Sequence, residues 1–256
     1  MSWTTPPSRE SEPYEALAQL YDFVMRHVNY VDWADYVEAL FRHHEPVPRR
    51  IIEVACGTGT LAMDLTMRGY VVHGIDRSPA MIARAKAKVG AAGLSPSPTF
   101  ALGDMRDLPH DDADALLCLY DSINYCLTAD DLRATFSSFR RVVRSGALCV
   151  FDITTETNSL RYFRAYRCRE RWKGYSYRRA STYIPEERLQ VNEFYIRRNG
   201  APEALHERHE QRVYALDEVL AAVPRDRWDV LGTYDDFSLA RAHEGSERIH
   251  VAMRAR

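Results

Sequence analysis

Residues 51–60 read I-I-E-V-A-C-G-T-G-T, and the next apolar run, V-V-H-G-I-D, ends at Asp76, 17 residues after Gly59. This pair of features constrains the fold more than any other part of the chain. A buried strand runs into a glycine turn that opens a helix, and the following strand ends in a carboxylate. That is the geometry of a nucleotide site at the carboxyl edge of a parallel sheet.

Gly57-Thr58-Gly59-Thr60-Leu61-Ala62 formally fits G-x-G-x-x-G/A. A dinucleotide loop of this kind turns backbone N–H groups and a helix N-terminus onto a pyrophosphate. Glu53 stands at the strand end, four residues before the first glycine. A carboxylate sits badly beside two phosphates and well beside an ammonium group. S-adenosyl-L-methionine has no phosphate, an α-amino group, a sulfonium and an adenosine, so Glu53 favours it over NAD. The plainer readings are a solvated strand-end acid at Glu53 and turn glycines without a ligand at Gly57 and Gly59.

The pattern continues downstream. Residues 98–103 are extended and lead into Asp104-Met105. Residues 113–120 (A-D-A-L-L-C-L-Y) and 147–153 (A-L-C-V-F-D-I) are nearly continuous apolar strands, as a sheet covered on both faces requires. Between the strands lie helical patterns. One covers 79–88, after Ser78 as N-cap with Pro79 at the first helical position. Another covers 129–143, with Leu132, Phe136, Phe139 and Val143 at helical spacing. Alternating β and α elements predict an α/β, Rossmann-like, doubly wound parallel sheet.

The motifs E-V-A-C-G-T-G, G-I-D-R-S-P-A-M and G-D-M-R-D-L-P, followed by Y-D-S-I-N-Y, resemble the successive motifs of class I S-adenosylmethionine-dependent methyltransferases. The resemblance covers about residues 14–156 well and is nearest to the small-molecule branch that includes glycine and amino-sugar N-methyltransferases. It implies that Glu53 and the backbone of Ala55, Cys56, Gly57 and Gly59 hold the amino acid end of the cofactor. Asp76 would accept from both ribose hydroxyls, Arg77 and Met81 would flank the adenine, and Asp104 with Met105 would take its exocyclic amine. Tyr120 and Asp121 would lie near the sulfonium. L-Y-D at 20–22 resembles the family's N-terminal segment, whose tyrosine, here Tyr21, approaches cofactor or acceptor; its face would also suit a sulfonium. The family often has Gly where this chain has Ala55, a residue small enough for close approach. As alternatives without a ligand, Asp104 would be a turn cap and Met81 a core methionine.

A chain of 256 residues buries a full core. Residues 1–13 are polar and rich in Pro and Ser and read as a disordered lead, with a single domain over 14–256. Within it, 14–45 form cap helices, with stripes from Leu17 to Val28 and from Trp33 to Phe41. Residues 46–156 are the cofactor-binding core, 157–214 an antiparallel β insertion after the fifth strand, and 215–256 complete a seven-stranded sheet. The insertion would act as a lid or a homodimer surface. Its turns are signalled by Pro185-Glu186 and Asn199-Gly200, and Gln190, Asn192, Phe194 and Ile196 alternate with Val191, Glu193 and Tyr195. The formal net charge of −2 gives no general attraction to nucleic acid or membrane. No signal peptide is visible, and no apolar run approaches the roughly 18 residues of a membrane span. The five cysteines show no C-x-x-C pair, and Cys56, Cys118 and Cys149, in or at the ends of apolar strands, read as small buried hydrophobes of a reducing cytoplasm. No spacing suits a metal.

Residues 161–179 carry eight Arg or Lys and one acid. They read as a solvated face, as a grip on an anionic acceptor, or as an RNA surface. The expected activity is methyl transfer to a small-molecule acceptor, at nitrogen rather than oxygen. Tyr21, Asn124 and Tyr125 are the first candidates to position that acceptor, and His209 and Arg212 lie in the insertion. Y-D-S-I after the fourth strand departs from the clamp used on planar nucleobase amines. The alternatives are an RNA or protein methyltransferase and a non-catalytic S-adenosylmethionine-binding module.

Overall fold

The computed structural model describes residues 6–256. Its chain begins with a short strand, β1 (Ser8–Glu10), a 3-10 turn at Leu17–Gln19, the one-turn helix α1 (Tyr21–Val24) and the helix α2 (Tyr30–His43). Five strands and three helices follow. They comprise β2 (Arg50–Val54), α3 (Thr60–Met67), β3 (Val71–Asp76), α4 (Pro79–Ala92), β4 (Thr99–Leu102), β5 (Ala113–Cys118), α5 (Ala129–Arg141) and β6 (Val143–Thr154), with β4 passing to β5 without a helix. The short helix α6 (Glu156–Asn158) then leads into β7 (Tyr166–Trp172), β8 (Tyr175–Ile184), β9 (Leu189–Arg198) and β10 (Ala204–Arg212). The chain closes with α7 (Leu216–Ala222), β11 (Trp228–Asp235) and β12 (Arg248–Ala255).

Seven strands lie in the order β11-β12-β6-β5-β2-β3-β4. From β6 to β4 neighbouring strands are parallel, but β12 runs antiparallel to both β6 and β11. The sheet is therefore mixed, which corrects the expectation of a parallel one. β11 and β12 form a hairpin, and a hairpin's strands must run in opposite senses. Side chains alternate through the sheet. Ile51, Leu117 and Val150 face α2, α3 and α4, while Ile52, Leu116 and Phe151 face α5 and α7. Two covered faces explain the unbroken apolar runs. Local signals set the helix ends. The Ser78 hydroxyl accepts from the Met81 N–H, Gly93 ends α4 at φ 60°, and Thr128 with Asp131 forms a capping box on α5.

The chain leaves β2 toward β3 on one side, and β5 and β6 lie on the other. The reversal of strand order opens a crevice at the carboxyl ends of β2 and β5. The turn after Val54 and the Tyr120-Asp121 corner sit there.

A second sheet has the order β1-β10-β9-β8-β7. The basic stretch 161–179, expected as a charged face before the strands, is largely the β7–β8 hairpin turning at Lys173-Gly174. Arg167, Arg169 and Arg171 are exposed, while Cys168 and Trp172 pack inward. The expected disordered lead also needs correction. Residues 1–5 lie outside the described residues, but Ser8–Glu10 pairs in parallel with Ala204–His206. Nor is the 17–28 stripe one helix: it breaks into the 3-10 turn and α1. Its Leu17, Leu20, Val24 and Met25 pack against Tyr177, Phe194 and Ile196 of the second sheet. Among the described residues no helix is long and apolar enough to cross a membrane.

Candidate cofactor and acceptor site

The turn after β2 places Ala55, Gly57 and Gly59 at φ 56°, 55° and 72°. Glycine takes this left-handed conformation freely, whereas an alanine bears about 1–2 kcal/mol. The constraint at Ala55 is thus one of backbone angle as well as of size. Gly59 does not line the main cavity. A Cβ there would come within 2.5 Å of the Phe100 ring, so this glycine lets α3 pack against β4. Gly57 faces the cavity, and a Cβ on it would stand 3.7 Å from Cε1 of Tyr21.

Asp76, at the end of β3, orders this turn. Its Oδ2 accepts from the Gly57 N–H at 2.8 Å and its Oδ1 from the Ser78 N–H at 2.8 Å. Burial raises its pKa, and those backbone donors oppose the rise. Glu53 lies behind the turn in a side cavity of about 40 Å3 that also touches Tyr30, Trp33 and Gly57. It is buried, its Oε2 has no hydrogen-bond partner, and burial with Asp76 nearby pushes its carboxyl up to about 8. An unpaired buried carboxyl costs free energy until a cation or donor reaches it. An α-ammonium group supplies both, so the residues present fit S-adenosyl-L-methionine and oppose a pyrophosphate. Cys56 borders the side cavity, and burial raises its thiol well above its ordinary value, which favours the unreactive thiol form.

Arg77, Met81, Asp104 and Met105 all line the main cavity of about 320 Å3. Arg77 is exposed at the rim and Met81 is buried. Asp104 is held by Arg106 at 2.7 Å, which keeps its pKa low.

At the end of β5, Tyr120 and Asp121 have φ 60° and 51°. Two successive left-handed residues are costly and persist only where their surroundings fix them. Here the Asp121 N–H donates to Asp152 at 2.8 Å, while its carboxylate accepts from Gln211 at 2.5 Å and Arg248 at 3.0 Å. Arg248 also pairs with Asp152 and lies over the Tyr120 ring, 5.0 Å from its centre. Sequence reading missed Arg248.

The opposite wall comes from the second sheet and the N-terminal segment. The Tyr14 and Tyr125 hydroxyls are 2.5 Å apart, and the Tyr125 hydroxyl is 3.2 Å from Nδ1 of His209. His209 Nε2 lies 3.0 Å from Oε2 of Glu207. The Glu207 carboxylate also accepts the N–H groups of Tyr14, Ala16 and Leu17. Because both Glu207 oxygens already accept backbone N–H groups, the network assigns the His209 proton to Nε2 and leaves Nδ1 an acceptor. Burial lowers the pKa of His209. Glu207 and Gln211 escaped notice, although with His209 they form a polar i, i+2, i+4 set on one strand face.

Tyr21 and Tyr125 therefore meet in one cavity, but Asn124 does not. Asn124 is fully buried, donates to the Arg212 carbonyl at 2.8 Å and accepts from the Thr154 N–H at 3.1 Å. It braces β6 and β10 and is corrected from an acceptor-positioning residue to a structural one. Arg212 turns its guanidinium over Tyr214, outside the cavity.

The methyltransferase domain family matches residues 51–146, the span of the turn, Asp76, Asp104 and Asp121. The Bacillus subtilis protein YqeM, whose name makes it a methyltransferase and gives no acceptor, is 28% identical over 240 residues, covering 92% of this chain and 94% of that one. A Streptomyces venezuelae dTDP-3-amino-3,4,6-trideoxy-alpha-D-glucopyranose N,N-dimethyltransferase is 28% identical over 53% of this chain and 56% of its own length. The crystal structure of an S-adenosylmethionine-dependent methyltransferase from Clostridium acetobutylicum superposes with a TM-score of 0.77 at 23% identity, covering 94% of this chain and 98% of that one; this likeness speaks for the fold. With the turn, the strand-end acids and the orphaned Glu53 all in place, the chain carries a methyltransferase domain whose site fits S-adenosyl-L-methionine, and it is similar to methyltransferases over nearly its whole length.

Proposed function

We propose that the enzyme methylates a nitrogen of a small molecule that enters between the two sheets. The observation that carries this reading is the cavity wall made by Tyr14, Tyr125 and His209, oriented from behind by Glu207. Bound against Gly57 and Asp76, S-adenosyl-L-methionine supplies a methyl group already activated on a positively charged sulfur. The protein's task is then to align the acceptor and to keep it unprotonated. His209 is neutral near pH 7 because burial opposes its charged form, and its Nδ1 can take a proton passed along the Tyr125 hydroxyl. Tyr21, packed on the Gly57 turn, would flank the transfer path.

The second sheet would act as the lid, since His209 and Gln211 reach the cavity from β10 while Asn192 and Phe194 reach it from β9. A cavity of about 320 Å3 shared between cofactor and acceptor suits a small molecule and not a folded protein or an RNA duplex. The name of the amino-sugar N,N-dimethyltransferase relative favours nitrogen. The test is S-adenosylhomocysteine release from S-adenosyl-L-methionine with a panel of small amines and their matched alcohols. Turnover of amines, falling at least tenfold in His209→Gln, supports the reading. Label transferred only to RNA or protein, or only to hydroxyl groups, overturns it.

A further inference from the structure

We infer that the methyl acceptor is an anion, held through a carboxylate or phosphate group by Arg179; this inference rests on the small-molecule reading above. Of the cations in the stretch 161–179, Arg179 lines the cavity. The other arginines there differ from it. Arg248 is neutralised by Asp121 and Asp152, Arg106 by Asp104 and Asp131, and Arg77 stands exposed at the rim. Arg179 forms no ion pair with any described carboxylate. Its partners are neutral oxygens: Nε donates to Ser181 Oγ at 3.1 Å and Nη2 to Asn192 Oδ1 at 2.9 Å.

Those two bonds use the Nε/Nη2 side of the guanidinium and leave the outer Nη1/Nη2 pair of N–H groups unspent. Two parallel donors of that kind match two oxygens of a carboxylate or phosphate. The arginine is also fixed in place. Ser181 donates to the same Asn192 oxygen at 2.6 Å, and the rings of Phe163, Tyr166 and Phe194 lie 5.3, 5.5 and 5.4 Å from the guanidinium carbon. Aromatic faces stabilise a cation but do not neutralise it. A partly buried guanidinium without a counter-charge is costly in the free protein, and an anionic ligand removes that cost.

The position ties the anion to the reaction. Gln211 connects to Asn192 at 3.5 Å and donates to Asp121 at 2.5 Å, so Arg179 and the Asp121 corner share one hydrogen-bonded frame. An acceptor gripped at Arg179 would thus be oriented relative to the Tyr125–His209 wall.

The test uses the full chain saturated with S-adenosylhomocysteine and titrated by calorimetry with matched probes: phosphoethanolamine against ethanolamine, and β-alanine against β-alaninamide. The expected result is that at least one anionic member binds about tenfold or more tighter than its neutral partner. This preference should vanish in Arg179→Gln and survive in part in Arg179→Lys. Which pair shows it separates a phosphate from a carboxylate. Unchanged S-adenosylhomocysteine affinity in both variants certifies their fold. Equal affinities within both pairs, no anion binding up to millimolar concentration, or a preference that persists in Arg179→Gln overturns the proposal. Label found only on macromolecules in the turnover assay would instead overturn the small-molecule reading.

Discussion

The Asp22 carboxylate accepts a 2.5 Å hydrogen bond from the Thr58 hydroxyl, so the N-terminal segment is fastened to the cofactor turn itself. Lys88 of α4 completes the fastening, with Nζ at 2.8 Å from Asp22, 2.9 Å from Thr58 and 2.8 Å from Thr60. Tyr21, adjacent in sequence, is thereby held on Gly57. Asp22 is more than one-third exposed, so the bond adds little to global stability. Its effect should be local. Asp22→Ala is expected to leave the melting temperature within about 2 °C, as a surface substitution of about 0.5 kcal/mol or less does in a chain of this size. It should weaken S-adenosylhomocysteine binding several-fold and speed amide exchange over residues 17–25. Unchanged affinity and exchange would show that Tyr21 is placed by packing alone.

As the candidate partner of the cofactor's ammonium group, Glu53 would set binding against stability. Its buried carboxyl, pushed up to about 8, keeps its proton in the folded protein well above the pH at which it loses it in the unfolded chain. The folded state therefore binds more protons in that window, and the stability of the free protein falls as pH rises from about 4.5 to 8. Glu53→Gln should stabilise the free protein at pH 8 and weaken S-adenosyl-L-methionine by about 1–3 kcal/mol, the worth of a charge-assisted hydrogen bond. Denaturant melts and calorimetry at pH 6 and 8 measure both. A variant that binds the cofactor as well as the parent at pH 8 would remove Glu53 from the site.

The arrangement of the glycine turn and the strand-end acids in the candidate cofactor half was legible because its determinants are local. A strand end, a glycine turn and a second strand-end acid fix one another over 26 residues, from Ile51 to Asp76. The acceptor half is assembled from distant parts: the Glu207–Tyr14 bond spans 193 residues and the Arg248–Asp121 bond 127. No local pattern announces such pairs. Asn124 misled because a polar residue after an apolar strand looks the same whether it faces a cavity or braces two backbones. In the basic stretch, total charge hid the alternation of Arg167, Arg169 and Arg171 with Cys168, Glu170 and Trp172. That period of two was the signal of a strand.

Glu207→Gln tests the orienting role behind His209. The amide keeps one acceptor for the Ala16 and Leu17 N–H groups but, in place of Oε2, turns an NH2 toward both Tyr14 N and His209 Nε2. Losing bonds to a buried carboxylate should cost about 1–3 kcal/mol in stability. The tautomer of His209 should also change, because Nε2–H no longer meets an acceptor and the proton moves to Nδ1. Nitrogen-15 shifts of the ring report that directly. Once an acceptor is found, kcat should fall tenfold or more with KM nearly retained, as loss of a group that acts only in the transition state requires. A lower stability with an unaltered tautomer and kcat would make Glu207 only the clamp on the N-terminal segment.

His250 should make the fold acid-sensitive. It is fully buried, its ring centre is 4.7 Å from that of Tyr36 and 5.6 Å from that of Trp33, and burial followed by Arg248 pushes its pKa down to about 3. The unfolded imidazole takes a proton near 6.5, but the folded one does not until about 3. Between these values the unfolded chain binds more protons, so stability is full above pH 6.5 and declines as the pH falls. Burial gives His209 a shift of the same sign. His250→Leu deletes one such group and with it ring contacts worth about 0.5–1.5 kcal/mol. The variant should be the less stable protein at pH 8 and should lose less stability on acidification, so that the two stability curves converge below pH 6.5. Parallel curves from urea melts across this range would mean that another group, not His250, takes up the proton on unfolding.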